Sequence, residues 1–220
     1  MDVYDAVASR QSVREFVDRP VDRDLLSRVL TAPSRAPSGG NLQPWHVYVL
    51  GGERLSELKE RIAVRVAAGD RGDALEVQTY PAPLGRPYRE RLEDFGQRRY
   101  GALGIGHDDL VARARVRAGN WKGFGASTVL FCYLDRDMPP PQWGDAGMYL
   151  QTVMLLLRSE GLHSCPQIAW AEYHRSVAEV IAPPSQRILY CGMSIGYIDL
   201  ASRQPYIPRA PLSETVTFLQ

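Results

Sequence analysis

This sequence contains very little lysine, although it has an ordinary number of basic residues. Only two of the 26 basic residues, Lys59 and Lys122, are lysines, and the others are arginines. Two explanations stay open: a GC-rich coding bias, or a need for forked side chains that bind phosphate and carboxylate groups. The net charge of +1 provides no strong field toward nucleic acid or an anionic membrane, so neither is expected as a partner.

Cysteines and long apolar runs are also scarce. The three cysteines, Cys132, Cys165 and Cys191, form no CxxC motif, and their odd number argues against a disulfide framework. No stretch approaches the roughly 18 unbroken apolar residues of a membrane span. The acidic start, Met1 to Asp5, lacks the basic-then-apolar pattern of a signal peptide. These features predict a cytoplasmic protein.

The usual catalytic signatures are missing as well. There is no P-loop, no HExxH and no GxSxG, and the nearest approach to a dinucleotide fingerprint, residues 104–109, lacks its third glycine. The four histidines are scattered without ligand spacing, so no metal site is expected. If the chain is an enzyme, a cofactor is expected to carry the chemistry, and no catalytic side chain is assigned.

Hydrophobic periodicity and capping residues indicate an α+β fold rather than regular βαβ alternation. The pattern predicts helices over residues 2–9, 22–32, 53–68, 88–100, 108–118, 144–160 and 171–181, and strands over 45–50, 128–134 and 187–198. We expect a single domain spanning residues 1–220, with residues 70–125 forming a helical excursion. The proline-punctuated tail, residues 199–220, either docks on a partner subunit or frays.

A first candidate site is the segment from Arg10 to Phe16. Arg10, Ser12 and Arg14 are spaced two apart, so in an extended chain their side chains share one face. Two guanidinium groups and a hydroxyl would then converge as a cradle for a phosphate or another compact anion. The alternative is a solvated, arginine-rich edge.

A second candidate site follows about one helix later, over residues 36–45. Its two central glycines allow close backbone approach, and Ser38, Asn41 and Gln43 offer neutral donors and acceptors for a heterocycle. The alternative is a plain polar turn that leads into the strand at Trp45.

Together these two segments resemble the FMN-binding N-terminal region of the nitroreductase family, where an RxSxRxF-like segment precedes a PSxxNxQPW-like loop. Three later stretches resemble the family in the same order: the long helix and CPQ loop, the late glycine-bearing strand and the closing arginine motif. They occupy residues 145–168, 192–197 and 209–212.

The resemblance implies a central, mostly antiparallel sheet flanked by helices, in an intertwined homodimer with two FMN sites at the interface. On that basis Arg10, Ser12, Arg14 and Arg209 bind the phosphate end, the second segment lines the flavin from the other subunit, and the CPQ loop follows the ring edge. The cofactor-binding residues so implied are Arg10, Gln11, Ser12, Arg14, Pro37, Ser38, Gly39, Asn41, Gln43, Cys165, Pro166, Gln167, Ile168, Gly192 and Arg209.

The resemblance also implies an activity: ping-pong transfer of a hydride from NADH or NADPH, through flavin N5, to a nitroaromatic, a quinone or a similar flat acceptor. Alternatives that share the cofactor are a flavin-dependent dehydrogenase or oxidase, a reductive dehalogenase, and a flavin-binding protein without turnover. Tyr80, Trp121 and Phe124 are candidates for stacking on the substrate; the alternative is that they pack added helices onto the core.

Overall fold

The structure, a computed structural model, describes residues 1–202 and 204–219. These residues group into two compact units: one comprises residues 1–79 and 115–202, and the other comprises residues 80–114 and 204–219. The helices are α1 (Val3–Ser9), α2 (Arg23–Thr31), α3 (Gly52–Ala67), α4 (Tyr88–Ala102), α5 (Leu110–Ala118), α6 (Pro140–Ser159), α7 (His174–Ile181) and α8 (Leu212–Thr215). The single domain expected from the sequence stays a prediction.

The first unit is built on one four-stranded sheet. Its strands are β1 (His46–Gly51), β2 (Thr128–Asp135), β3 (His163–Gln167) and β4 (Arg187–Gly196). Their spatial order is β1-β2-β4-β3, and every neighbouring pair is antiparallel. The predicted α+β class with an antiparallel sheet is therefore confirmed.

The sequence of strand β2 is almost entirely apolar because helices cover both of its faces. Leu130, Cys132 and Leu134 point to one face of the sheet and pack with α2 and α6. The alternating residues, which include Phe131, point to the other face and pack with α3 and α7. Because successive side chains of a strand point to opposite faces, a central strand covered by helices on both sides must be apolar throughout.

Local signals placed several helix ends correctly. The carboxylate of Asp2 accepts a hydrogen bond from the backbone N–H of Asp5 at 2.8 Å, and that of Asp22 accepts one from Leu25 at 2.8 Å. Gly161, predicted to stop the long helix, has a φ of 76°, which is the left-handed conformation typical of that position.

The structure differs from the predicted elements in several places; helix α7, for example, begins at His174 rather than at residue 171. Helix α6 begins at Pro140, four residues before the predicted start at Gly144, because proline is well suited to the first turn of a helix. Strand β3 was not predicted, because its residues were assigned to the CPQ loop that the family resemblance implies. Since β3 lies at the edge of the sheet, a proline there does not interrupt the hydrogen bonding between inner strands.

The second unit contains α4, the first part of α5, and α8. No residue of α4 is buried against the described part of the chain. An ion pair of 2.8 Å between Arg91 and Glu214 joins α4 to α8. Among the described residues, no helix has both the length and the apolar character that crossing a membrane would demand.

Candidate functional site

The arginine-bearing segment that follows α1 is extended, as the cradle interpretation requires. Arg10 leaves the helix with φ −69° and ψ 123°, and Ser12 forms a parallel bridge with Ser164 of β3. Val13 is fully buried and donates its backbone N–H to the Ser164 carbonyl at 3.2 Å. Because Val13 points into the core, Ser12 and Arg14 lie on the opposite face.

Phe16 fixes the far end of this segment. Its backbone N–H donates to the carbonyl of Phe124 at 3.0 Å, and its side chain is only 7 % exposed. Two glycines make room for it: a Cβ at Gly125 would lie 2.9 Å from the Phe16 carbonyl oxygen, and a Cβ at Gly196 would lie 3.1 Å from its ring. The segment between Arg10 and Phe16 is therefore held at both ends.

The second candidate segment is an exposed loop with unusual backbone. Gly40, Asn41 and Gln43 have φ values of 57°, 59° and 50°. Left-handed backbone is rare for residues other than glycine and is enriched at binding sites, where the surrounding structure maintains it. Pro37, Gly39, Asn41 and Gln43 are exposed, so this loop presents polar groups to a ligand.

A buried carboxylate, which the sequence did not single out, holds this loop. Asp145 in α6 is 6 % exposed, and its Oδ2 accepts a hydrogen bond from the backbone N–H of Gly39 at 3.1 Å. The two residues are 106 positions apart, so no local pattern indicates the contact.

The predicted ring-edge residues at the end of β3 divide into buried and exposed ones. Cys165 and Gln167 are 1 % and 3 % exposed, whereas Pro166 is exposed and Ile168 is 43 % exposed. Any contact of a ligand with Cys165 or Gln167 must therefore involve the backbone rather than the side chain.

The side chain of Gln167 is occupied by the interior of the protein. Its amide Nε2 donates to the Asn120 carbonyl at 2.8 Å, and its Oε1 accepts from Ser194 Oγ at 2.5 Å and from Trp170 Nε1 at 3.3 Å. Buried polar groups that are fully paired rigidify their surroundings. Asn120 and Ser194, which sequence analysis did not identify, thus fix the end of β3.

Gly192, assigned to the cofactor from the resemblance, lies in β4 with the ring of Trp170 directly above it. A Cβ at this position would be 2.3 Å from Trp170 Cδ1. This close approach explains the glycine by packing alone, and its contact with a cofactor stays a prediction.

Two of the three predicted substrate residues are buried in the first unit. Trp121 is 6 % exposed and donates its indole N–H to the Ala169 carbonyl at 2.9 Å, and Phe124 is 9 % exposed. A Cβ at Gly119 would lie 3.2 Å from the Phe124 ring. Both side chains are therefore packed within this chain and present no open stacking face in it, and their role toward a substrate stays a prediction.

Of the predicted residues, Gln11 is exposed in the first unit, and Tyr80 and Arg209 belong to the second. Tyr80 is 55 % exposed there, in a position open to a ligand. Arg209 is also exposed, and its Nη1 donates to the carbonyls of Ile207 at 2.8 Å and Pro208 at 3.2 Å. Their roles stay predictions.

Comparison with known proteins adds independent information. A model of the nitroreductase family matches residues 7–197. The chain belongs to the nitroreductase family. It is 37 % identical to a 4-nitrobenzoate reductase of Pseudomonas putida, over 90 % of this chain and 86 % of that protein. The family predicted from the order of the motifs is thus confirmed.

Solved structures of nitroreductases confirm the fold. The FMN and NADPH-dependent nitroreductase NfnB from Sphigopyxis sp. strain HMH superposes with a TM-score of 0.96 at 42 % identity, over all of both chains. The FMN-dependent nitroreductase NfnB from Mycobacterium smegmatis, solved in complex with NADPH, gives a TM-score of 0.93 at 30 % identity, over 99 % of this chain and 97 % of that one.

Proposed function

We propose that this chain is an FMN-dependent oxidoreductase that uses NADH or NADPH to reduce nitroaromatic compounds. The observation that carries the proposal is the pairing, within one unit, of an extended Arg10–Arg14 segment and an exposed polar loop, in a chain that belongs to the nitroreductase family. Solved relatives named for FMN and NADPH support the choice of cofactor and reductant.

The donor groups of this chain fit FMN. Arg10, Ser12 and Arg14 offer guanidinium and hydroxyl donors to a phosphate, and the resemblance to the family implies Arg209 as a further donor. The exposed loop offers amide and hydroxyl groups that match the alternating donors and acceptors of a flavin ring. Bound FMN supplies the redox chemistry, a hydride accepted from the nicotinamide and electrons passed to the acceptor in separate half-reactions.

The protein's own contribution is to bind and orient. Because both ends of the Arg10–Phe16 segment are fixed, the phosphate donors are held in place before FMN binds. Binding therefore loses less conformational entropy. Pro166 and Ile168 are exposed beside the Gln167 backbone, which the paired side-chain amide keeps rigid. Orientation of two reactants against a rigid edge is the main catalytic effect expected from such a site.

We further propose that the active form is a homodimer with FMN at the interface. Apolar side chains at both ends of a single chain support this: in α1, Val3 and Tyr4 are 70 % and 87 % exposed, and in the tail, Phe218 and Leu219 are 78 % and 91 % exposed. Monomeric proteins rarely expose clusters of large apolar residues. Sedimentation velocity of the purified protein should give the mass of two chains.

The first test is the visible spectrum of the purified protein under anaerobic conditions, before and after NADPH or NADH is added. A flavin spectrum that bleaches rapidly supports a reductase, and oxidation of NADPH on addition of 4-nitrobenzoate or nitrobenzene then identifies the acceptor class. A flavin spectrum that persists contradicts NAD(P)H as the reductant. A colourless protein that cannot be reloaded with FMN refutes the proposal.

The second test concerns the phosphate donors. The double variant Arg10→Ala/Arg209→Ala should lose FMN, because each arginine supplies charge-assisted hydrogen bonds of about 1.5–3 kcal/mol. A matched control is Arg23→Ala/Arg54→Ala, which removes the same charge from two exposed helix positions outside the site. If the first variant keeps stoichiometric FMN, the phosphate assignment is wrong.

A further inference from the structure

The loop of residues 38–43 depends on outside support for its conformation. Asn41 and Gln43 carry a Cβ in left-handed backbone, which sterics disfavour. The large apolar residue of the loop, Leu42, is 58 % exposed and therefore packs little against the core. Such a segment persists in one conformation only when neighbouring structure holds it.

The hydrogen bonds inside the loop define its shape but not its location. Ser38 Oγ accepts from the Gln43 backbone N–H at 3.0 Å, and the Asn41 N–H donates to the Ser38 carbonyl at 3.0 Å. Gln43 Nε2 donates to the Asn41 carbonyl and amide oxygens, both at 3.2 Å. These bonds join residues of the loop to one another, so they do not by themselves fix its position against the rest of the fold.

Asp145 provides the link to the rest of the fold. It follows the first turn of α6, a 20-residue helix, beside Ala146, which is fully buried. A carboxylate in such surroundings is unfavourable unless hydrogen bonds compensate its lost hydration. The backbone N–H of Gly39, near the start of the loop, donates such a hydrogen bond to Asp145. Gly39 lies beside α6, since a Cβ there would be in ordinary contact with Gln142 Nε2 at 3.6 Å and Asp145 Oδ2 at 3.9 Å.

We infer that Asp145 is a positioning residue for the flavin: it places the loop that lines the ring without itself touching the cofactor. This inference rests on the proposed function, because it takes residues 38–43 as flavin-lining. Its consequence is that removing the acceptor weakens FMN binding and changes the environment of the bound ring, while the sheet and the core are retained.

The experiment compares wild-type protein with Asp145→Ala and Asp145→Asn. Each is stripped of FMN, titrated with FMN by fluorescence quenching, and examined by visible circular dichroism at saturation. We expect Asp145→Ala to raise the Kd for FMN by about 10- to 100-fold, the loss typical of a hydrogen bond to a charged group. Asp145→Asn keeps an acceptor oxygen and should stay within about threefold of wild type.

Two further measurements separate this role from a general structural one. The amide resonance of Gly39 should move upfield in Asp145→Ala and not in Asp145→Asn, whether or not FMN is bound. The control Asp137→Ala removes an exposed carboxylate near the start of α6 and should change neither FMN affinity nor the Gly39 resonance.

Each outcome decides the matter. Unchanged FMN affinity in Asp145→Ala, even with a lower melting temperature, overturns the inference. Equal losses in Asp145→Ala and Asp145→Asn overturn it as well, because the acceptor would then not be what matters. A wild-type protein that binds no FMN refutes the proposed function before any variant is compared, and the Gly39 resonance still shows whether Asp145 holds the loop.

Discussion

Replacing Gly192 with alanine is expected to destabilise the first unit severely, for a reason that can be read from distances. The added Cβ would lie 2.3 Å from Trp170 Cδ1 and 2.9 Å from its Nε1. Real Cβ contacts are never this short, so either the indole or the strand must move. Trp170 is fully buried and packs edge-on against Phe131 at 5.2 Å between ring centroids, which leaves it no open direction.

The size of the effect follows from two contributions. Forcing an extra methyl group into a well-packed core costs about 1–3 kcal/mol. Displacing the indole also lengthens its 3.3 Å hydrogen bond to Gln167 Oε1, which adds about 1 kcal/mol. A total near 3 kcal/mol corresponds to a fall in melting temperature of about 6–12 °C for a chain of this size.

The assay is urea unfolding followed by tryptophan fluorescence and far-ultraviolet circular dichroism, with the midpoint and slope both fitted. Gly147→Ala is the matched control: it makes the same substitution in α6, where nothing lies within 4 Å of the new Cβ. That variant should be stabilised by about 0.5–1 kcal/mol, since alanine favours helix. If Gly192→Ala unfolds at the same urea concentration as wild type, the packing explanation is wrong, and contact with the cofactor becomes the better explanation for the glycine.

Two further predictions concern charged groups. The guanidinium of Arg65 donates at 2.7 to 2.9 Å to three side chains, Asp70, Asp73 and Ser176. A lysine at position 65 cannot make these three contacts, so Arg65→Lys should lower the free energy of unfolding by about 2 kcal/mol, measured by urea unfolding. The control Arg98→Lys lies in an exposed helix pair and should change it by less than about 0.5 kcal/mol. Equal losses in the two variants would contradict this prediction. Burial, and secondarily the Arg158 guanidinium, lowers the pKa of His163 from 6.5 to about 4. The unfolded chain therefore binds a proton in this range that the folded chain does not, so this contribution to stability is present above pH 6.5 and is lost toward pH 4. Urea midpoints at about pH 5 and about pH 7.5 should differ less in His163→Asn than in wild type, and an unchanged difference would exclude His163 as the cause.

The sequence by itself determined those features that depend on near neighbours. Asp2 and Asp22 cap helices because a carboxylate reaches the N–H three residues later. The unbroken apolar run predicted a strand over residues 128–134, and the structure buries strand β2 on both faces. The order of the motifs, beginning with Arg10, Ser12 and Arg14, indicated the family, whereas the extended conformation of that segment was a condition that only the structure met.

The tertiary structure decided which side chains face the interior. The sequence made Gln167 a candidate for the cofactor, and Trp121 and Phe124 candidates for the substrate. In the fold all three side chains point inward, and Gln167 bonds to Ser194, which lies far along the chain. Periodicity gives the face of an element but not what covers it.

The same limit applies to the support of the candidate site. Asp145 reaches Gly39 across 106 residues, and Gly192 is required by a tryptophan that no local pattern associates with it. Strand β3 was not predicted, and its place at the sheet edge, which tolerates Pro166, is a property of the assembled sheet. Contacts of this kind arise only when distant segments pack together, so the sequence supplied candidate ligand-binding residues and the fold supplied the contacts that hold them in place.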